Sequence, residues 1–454
     1  MADLLLQALP YARDSRHLMQ ALAVLPHPVF LDSGLSDSPE ARYDILSAAP
    51  TRFECLDRTR KDRVFTRAYE LLQSHRASTE VCSRLAHLPF CGGLLGCLSY
   101  QAGMTQVPDH PPIVDDQVAT NLPELPLAAM GIYDWAVIVD HRLNQTQLFI
   151  LPQCPDAVRS AVLDVLRAAV ASLPSPFRLL NPFKALCSRD QYSEAFKRLQ
   201  DYILAGDCYQ ANLAMAFAAE FTGSTLDAFL TLRQRSHSPF SAYVDAGNFQ
   251  LLSLSPERFV SVNDRRVFTQ PIKGTRKRHA DPVADQASID ELLNSEKDRA
   301  ENLMIVDLLR NDLGSVCETG SVKTESLFAL HSFSQVHHLI SSISAMLPAG
   351  CPPLTLLERC FPGGSITGAP KIRAMQIIAE LEQVPRAFYC GSVFHHDYLD
   401  RMDSNICIRT LLATQGHLYC WGGSGVVADS QADLEYQECL DKVSVLMDLP
   451  GARH

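Results

Sequence analysis

Apolar residues fall along this chain in two kinds of run. The short runs are Pro28–Leu31, Leu94–Tyr100, Gly131–Val139, Asn212–Ala219, Ser241–Val244, Phe249–Ser253, Asn405–Ala413 and His417–Trp421. Each predicts a strand. Asp140-His-Arg-Leu-Asn144 reads as a turn before Gln147-Leu-Phe-Ile-Leu151, so Ile132–Leu151 predicts a hairpin. The longer runs predict helices over Asp156–Leu173, Tyr192–Leu204, Thr225–Arg235, Ala287–Arg310, Ile372–Leu381 and Ala432–Leu446. The fourth carries Leu292, Leu303, Ile305 and Leu308 on one stripe; the last carries Leu434, Leu440, Val443 and Leu446. Gly422-Gly-Ser-Gly425 reads as a glycine turn. A proline-rich polar stretch, Pro174-Ser-Pro through Asn181-Pro182, divides an N-terminal region (1–180) from a larger one (185–448). Strands and helices without strict alternation predict an α+β fold with antiparallel sheets.

Composition narrows the function. Of 454 residues, 47% are hydrophobic and 20% charged, which excludes disorder, collagen and coiled coil as whole-chain readings. Lys and Arg number 40 against 51 Asp and Glu, a net charge of −11. A chain so acidic, without a basic stripe, is not built for nucleic acid or an anionic membrane surface. A small anion would need a locally basic pocket. The opening Met1-Ala-Asp-Leu-Leu-Leu-Gln has too short an apolar run for a signal segment, and no run is long enough for a membrane helix. The 14 cysteines include no C-x-x-C pair. They read as reduced, buried thiols of a cytoplasmic protein, not as zinc ligands or disulfides.

Several residues are suited to chemistry. Asp298 and Glu301 sit i, i+3 on one predicted helix, and Glu435 and Glu438 on another, with Lys442 four residues beyond. Two such pairs converging would suit an oxygen-ligated divalent cation; spacing alone equally describes two solvated helix faces. Lys273 lies between Ile and Gly beside a predicted turn, either as a nucleophile with a lowered pKa or as part of a basic loop with Arg276-Lys-Arg278. Glu257, after a strand and a proline, is a general-acid candidate or a partner of Arg258. Pro362-Gly-Gly-Ser-Ile-Thr-Gly-Ala-Pro-Lys371 is the densest glycine loop and precedes a helix, as anion sites do, but it is not a Walker A loop. Arg409 shares the polar face of the predicted strand Asn405–Ala413 with Asn405 and could hold a carboxylate. His338, on spacing alone, reads as a structural histidine.

Together these segments resemble one family. Gly206-Asp-Cys-Tyr-Gln-Ala-Asn-Leu213, Ser253-Leu-Ser-Pro-Glu-Arg-Phe259, Pro271-Ile-Lys-Gly-Thr275, Lys297–Asp312, Phe361–Lys371, Ile408-Arg-Thr410, Val427-Ala-Asp-Ser430 and Tyr436-Gln-Glu438 follow in order the motifs of the chorismate-utilising enzymes. The resemblance covers Ser188–Met447, and more weakly Leu31–Asp44 and Gly92–Tyr100. It implies the anthranilate synthase component I-like α+β fold, two packed antiparallel β-sheets flanked by helices. Lys273 stands where anthranilate-forming members usually have Ala, and Gln210 where water-using members have a lysine. The resemblance therefore implies ammonia as nucleophile and 4-amino-4-deoxychorismate as product, on the para-aminobenzoate branch of folate synthesis. It implies Lys273 as nucleophile and Glu257 as acid. Mg²⁺ is implied on Glu301 and Glu438, with Asp298 and Glu435 in support. Thr275, His338, Arg409, Gly423, Ser424, Gly425, Lys442 and Gln210 are implied to bind chorismate. No Cys-His-Glu glutaminase module is found in the chain, so ammonia is expected from solution or from a separate glutamine amidotransferase subunit in a heterodimer. A tryptophan pocket is implied at Ser33-Gly34, Glu40, Ala41, Arg42, Tyr43, Pro239, Phe240 and Ser241. The rivals are anthranilate formation in the same pocket and a catalytically silent homologue.

Overall fold

The computed structural model describes residues 3–33, 35–36, 38–104, 107, 122–168, 175–333 and 336–451. Gly34 lies outside them, as do residues 169–174, which include the end of the expected helix Asp156–Leu173. Among the described residues there are two antiparallel sheets, one of thirteen strands and one of ten. The central strands of the larger run Tyr43–Ser47, Val29–Asp32, Phe240–Asp245, Gln250–Ser255, Thr410–Thr414, His417–Val426 and Gln210–Thr222. The smaller runs from Ile272–Lys277 through Val336–Met346, Arg266–Thr269, Arg258–Asn263, Met402–Asn405, Ser392–Asp397, Gly93–Leu98 and Ala128–Tyr133 to Arg52–Leu56. Both sheets take strands from both sides of residue 180.

Alternation along the large sheet explains its two buried faces. Ala136, Ile138, Leu251 and Leu412 turn inward with Leu94, Leu95 and Val260 of the other sheet. Val137, Val139, Leu252 and Leu411 turn outward beneath helices carrying Leu22, Phe196, Phe229, Ile378 and Val443. Cys97, Cys208, Cys407 and Cys420 are buried free thiols. No described helix is long and apolar enough to cross a membrane.

Three predicted elements are broken in the structure, each where the chain changes partner. Gly131–Val139 is two strands, Ala128–Tyr133 in the small sheet and Trp135–Asp140 in the large one. Between them Asp134 accepts hydrogen bonds from Thr51, Gln153 and Tyr398. The hairpin Trp135–Ile150 follows as expected. Asn405–Ala413 also splits: Met402–Asn405 belongs to the small sheet and Thr410–Thr414 to the large. Arg409 stands in the crossing with φ +51°, so it does not share a strand face with Asn405. Ala287–Arg310 becomes two helices, Pro282–Asn294 and Glu296–Gly314. Ser295 is extended and its hydroxyl caps the second helix by accepting from the Asp298 N–H. Leu303 and Leu434 fall outside their expected stripes and are exposed. Gly422–Gly425 is not a turn but part of the strand His417–Val426.

Candidate active site

The crossing that carries Arg409 lies against another. Strand Gln250–Ser255 of the large sheet passes through Pro256 and Glu257 into Arg258–Asn263 of the small one. The two crossings are tied together: the Ser255 hydroxyl donates to Ile406 O at 2.6 Å, the Ile406 N–H to Glu257 O at 3.1 Å, and the Leu254 N–H to Arg409 O at 3.0 Å. Glu257 and Arg409 are thus placed at the seam of the sheets.

Glu257 is 6% exposed. Burial pushes its pKa up to about 7, with the Ser365 hydroxyl, Lys273 and Lys442 pulling the other way. It does not pair with Arg258, whose guanidinium holds Asp403 at 3.0 Å and Glu40 at 2.6 Å. Lys273 lies on Ile272–Lys277, opposite Leu339. The register slips between Lys273 and Thr275 at Gly274, whose φ is +78°. A side chain at Gly274 would begin 2.9 Å from Leu292 Cδ1 and 3.1 Å from Asp298 Cγ, so glycine lets both helices close on the lysine. Lys273 is only partly covered. The protein interior around it still lowers its pKa, assisted by Lys442 and opposed by Glu301, Glu257 and Glu438. Arg276 and Arg278 are not among the main charges acting on it. They are occupied with Glu291, Asp298 and Asp285.

Thr275 and His338 meet at 2.8 Å. Burial and the nearby Arg409 charge take the His338 pKa down to about 4, so its imidazole is neutral at pH 7. Both His338 and Arg409 line a cavity of about 350 Å³ bounded also by Pro256, Ile272, Pro239 and Phe333. Arg409 counts as exposed because it opens onto this cavity, yet the burial of its surroundings lowers its pKa. Among the described residues no ion pair to Arg409 or Lys273 is found.

The four acids do not act as a group. Among the described residues no three His, Cys, Asp or Glu side chains stand close enough to hold a metal. Burial raises the Glu301 pKa, and the charges of Asp298 and Glu438 raise it further. Glu438 pairs with Lys442 at 2.7 Å, and Lys442 donates to Gly423 O at 3.0 Å. Asp298 is held by Arg276 at 3.1 Å, and Glu435, 4% exposed, accepts from the Ser430 hydroxyl at 2.8 Å. Glu301 thus feels the charges of both Asp298 and Glu438.

Gly422–Gly425 pairs with Gln210–Thr222, with Asn212 opposite Gly425 and Ala214 opposite Gly423. A side chain at Gly425 would begin 2.2 Å from Gln210 Nε2, and one at Gly423 2.5 Å from Asn212 Oδ1. The neighbouring strand Thr410–Thr414 stops pairing at Leu411 opposite Cys420, which leaves one edge of the glycine segment without a strand partner. Ser424 is fully buried, with its hydroxyl 4.0 Å from Cys439 Sγ on the helix side. Gln210 Oε1 and Asn212 Oδ1 are buried without hydrogen-bond partners. Asn212 and Ser365 were not singled out in the sequence. For Asn212 the signal is two-residue spacing from Gln210; for Ser365 it is membership of the dense glycine loop.

The N-terminal candidates divide between two cavities. Glu40, Tyr43, Pro239, Phe240 and Ser241 line one of about 140 Å³ between the sheets. Ser33, Ala41 and Arg42 line another, more polar one of about 500 Å³ beside Tyr11 and His141.

A family model of chorismate binding enzymes matches residues 33–448. The chain is 42% identical over 452 residues to an aminodeoxychorismate synthase component 1 of Klebsiella aerogenes, covering 97% of each. It is 42% identical over 435 residues to that of Escherichia coli K12, covering 94% of each. Among solved structures, anthranilate synthase component I of Streptococcus pneumoniae superposes with a TM-score of 0.76 at 28% identity, over 90% of this chain and 93% of the other.

Proposed function

This chain belongs to the chorismate binding enzymes, and from that premise we infer that it works as its aminodeoxychorismate synthase relatives do. It aminates chorismate to 4-amino-4-deoxychorismate, in para-aminobenzoate synthesis. The observation that carries the reading is a buried acid, Glu257, within the field of a lysine of lowered pKa, Lys273, while their chain neighbours Pro256 and Ile272 line a cavity with Arg409 and neutral His338.

Chorismate carries two carboxylates. Arg409 binds one from the cavity wall, and Lys442 with the backbone of Gly423–Gly425 orients the substrate. With its pKa lowered, Lys273 holds more of its amine neutral and nucleophilic. It attacks the ring while Glu257, whose raised pKa keeps a substantial share protonated near neutral pH, gives its proton to the C4 hydroxyl, which leaves as water. Ammonia then forms the C4–N bond as the Lys273–ring bond breaks, and the amine is regenerated. Gln210 and Asn212 offer amide oxygens rather than a base at the ring, which suits an amine nucleophile and activates no water. The donor set of Glu301 and Glu438, oxygen-only and within each other's electrostatic reach, fits Mg²⁺, a cation usually held by one or two carboxylates with substrate and water. When bound there it would neutralise a substrate carboxylate. Asp298 and Glu435, engaged elsewhere, position these helices. The designation component 1 in the relatives goes with a second component, and a glutamine amidotransferase subunit would supply ammonia here.

The test is direct. Protein, chorismate, Mg²⁺ and ammonium should yield aminodeoxychorismate, identified by mass and by its conversion with the downstream lyase. Anthranilate as the product would replace this reading with its sister reaction, and no turnover would make the chain a silent homologue.

A further inference from the structure

Among the described residues Glu257 makes a single side-chain hydrogen bond, and its partner lies in a segment to which no role has yet been given. The Ser365 hydroxyl donates to Glu257 Oε1 at 2.9 Å, with Ser365 7% exposed and Glu257 6%. Ser365 sits in the short turn Gly364–Ile366 of the glycine loop. That turn is held from several sides. A side chain at Gly364 would begin 2.5 Å from Leu308 Cδ2, so the loop rests directly on the helix that carries Glu301. Arg386 Nη1 donates to Ile366 O at 2.9 Å, the Asn212 N–H to Thr367 O at 2.8 Å, and the Thr367 hydroxyl to Gly363 O at 3.0 Å.

We propose that Ser365 is a positioning residue for the general acid: its hydroxyl occupies Glu257 Oε1, so that the acid carries its transferable proton on Oε2. This rests on Glu257 being the acid. A hydroxyl has one proton to donate, and once it points at Oε1 that oxygen is the carbonyl oxygen of the protonated acid. Fixing the proton on one oxygen spares the acid a rotation before transfer. The same hydrogen bond also stabilises the ionised form, and so keeps the acid's pKa from rising further under burial. The charges facing Glu257 are Lys273 from its strand and Lys442 from the last helix, with Glu301 and Glu438 beside them.

Ser365→Ala, Ser365→Thr and Glu257→Gln are compared in ammonia-dependent turnover across pH. Glu257→Gln should lose kcat by about a hundredfold or more. Near-normal turnover in that variant would remove Glu257 as the acid, and this proposal with it. Ser365→Ala should lower kcat about tenfold with little change in KM for chorismate, and move the alkaline limb of the kcat profile up by about one pH unit. Ser365→Thr, which keeps the hydroxyl, should restore both. If Glu257→Gln is inactive while Ser365→Ala keeps the wild-type limb and kcat, Ser365 does not position the acid. If Ser365→Ala does not fold, the threonine variant decides alone: a folded Ser365→Thr enzyme with a displaced limb or low kcat overturns the proposal, and a wild-type profile supports it.

Discussion

Two regions of this molecule bury charge, and they do so by opposite rules. Around Arg233, on the outer side of the large sheet, every group has its partner. The fully buried guanidinium holds Asp32 through Nε at 2.7 Å and Nη2 at 2.8 Å, and Asp14 at 2.6 Å. Asp44 next to it accepts from the Ser15 hydroxyl and from the Ser33 hydroxyl and N–H, with His141 Nε2 beside it at 3.0 Å. At the seam between the sheets, Lys273 and Arg409 have no ion-pair partner among the described residues, Glu257 has one hydroxyl, and two amide oxygens have nothing. A network that is complete in itself serves folding. A cluster whose groups stay unsatisfied pays an electrostatic cost that only a ligand carrying the complementary groups relieves.

The contrast can be broken experimentally. Lys273→Met should reduce amination by a hundredfold or more, as loss of an essential nucleophile or acid does, while leaving stability within about 1 kcal/mol of wild type or raised. A variant that loses both together would place Lys273 among the structural charges. With chorismate and Mg²⁺ but no ammonia, peptide mass spectrometry of the wild type should find dehydrated chorismate on the Lys273 peptide; an unmodified peptide under rapid quench makes Lys273 an electrostatic residue only.

Arg233→Ala should behave inversely. It strips the partner from buried Asp32 and should cost about 3–5 kcal/mol in denaturant unfolding, with normal turnover by the fraction still folded. A loss below about 1 kcal/mol would show that this network is not structural.

The two regions also differ in the sign of their pH dependence. Glu257, raised to about 7 from 4.5, favours folding fully below about pH 4.5, and that contribution of roughly 3 kcal/mol fades as pH rises through 7. Asp44 and Asp140, held below the usual carboxylate range by His141, Ser33 and Arg42, contribute above that range and lose it on acidification. Glu257→Gln should therefore flatten the stability profile between about pH 5 and 8, and Asp44→Asn its acid side. Urea midpoints measured across pH decide; identical profiles for both variants would erase the distinction.

Losing a carboxylate of the expected metal pair comes next. Glu301→Gln or Glu438→Gln should weaken Mg²⁺-dependent turnover by well over tenfold, and full activity in excess chelator would remove the metal from both. The smallest effect is expected at the cavity of Glu40, Tyr43 and Phe240, lined by cation, carboxylate and aromatic surface. Tryptophan added to amino-acid-free protein should raise the Tm by a few degrees at about a hundred times its Kd. An unchanged Tm would leave the cavity without that ligand.

The sequence by itself determined the composition of the cores, most strands and helices, and which side chains could do chemistry, because alternation, capping residues and residue type are local. Ser295 shows what local signals still hid: Ser-x-x-Asp is a helix-start pattern, but the apolar residues on either side let it pass as one long helix. What only the tertiary structure decided is where strands change sheets. Gly131–Val139 and Asn405–Ala413 are mostly apolar on both sides of their polar residues because both sheets are buried, so hydrophobic pattern cannot show that Asp134 and Ile406–Arg409 carry the chain from one sheet to the other. Those crossings tie the backbones at Arg409 and Glu257 together across 152 positions of sequence. The same packing sets Lys273 against a helix, leaves Asp298 and Glu435 to other partners, and shifts the pKa of Glu257. Electrostatic environment belongs to the assembled interior, because it is the sum of what every neighbouring element displaces from water.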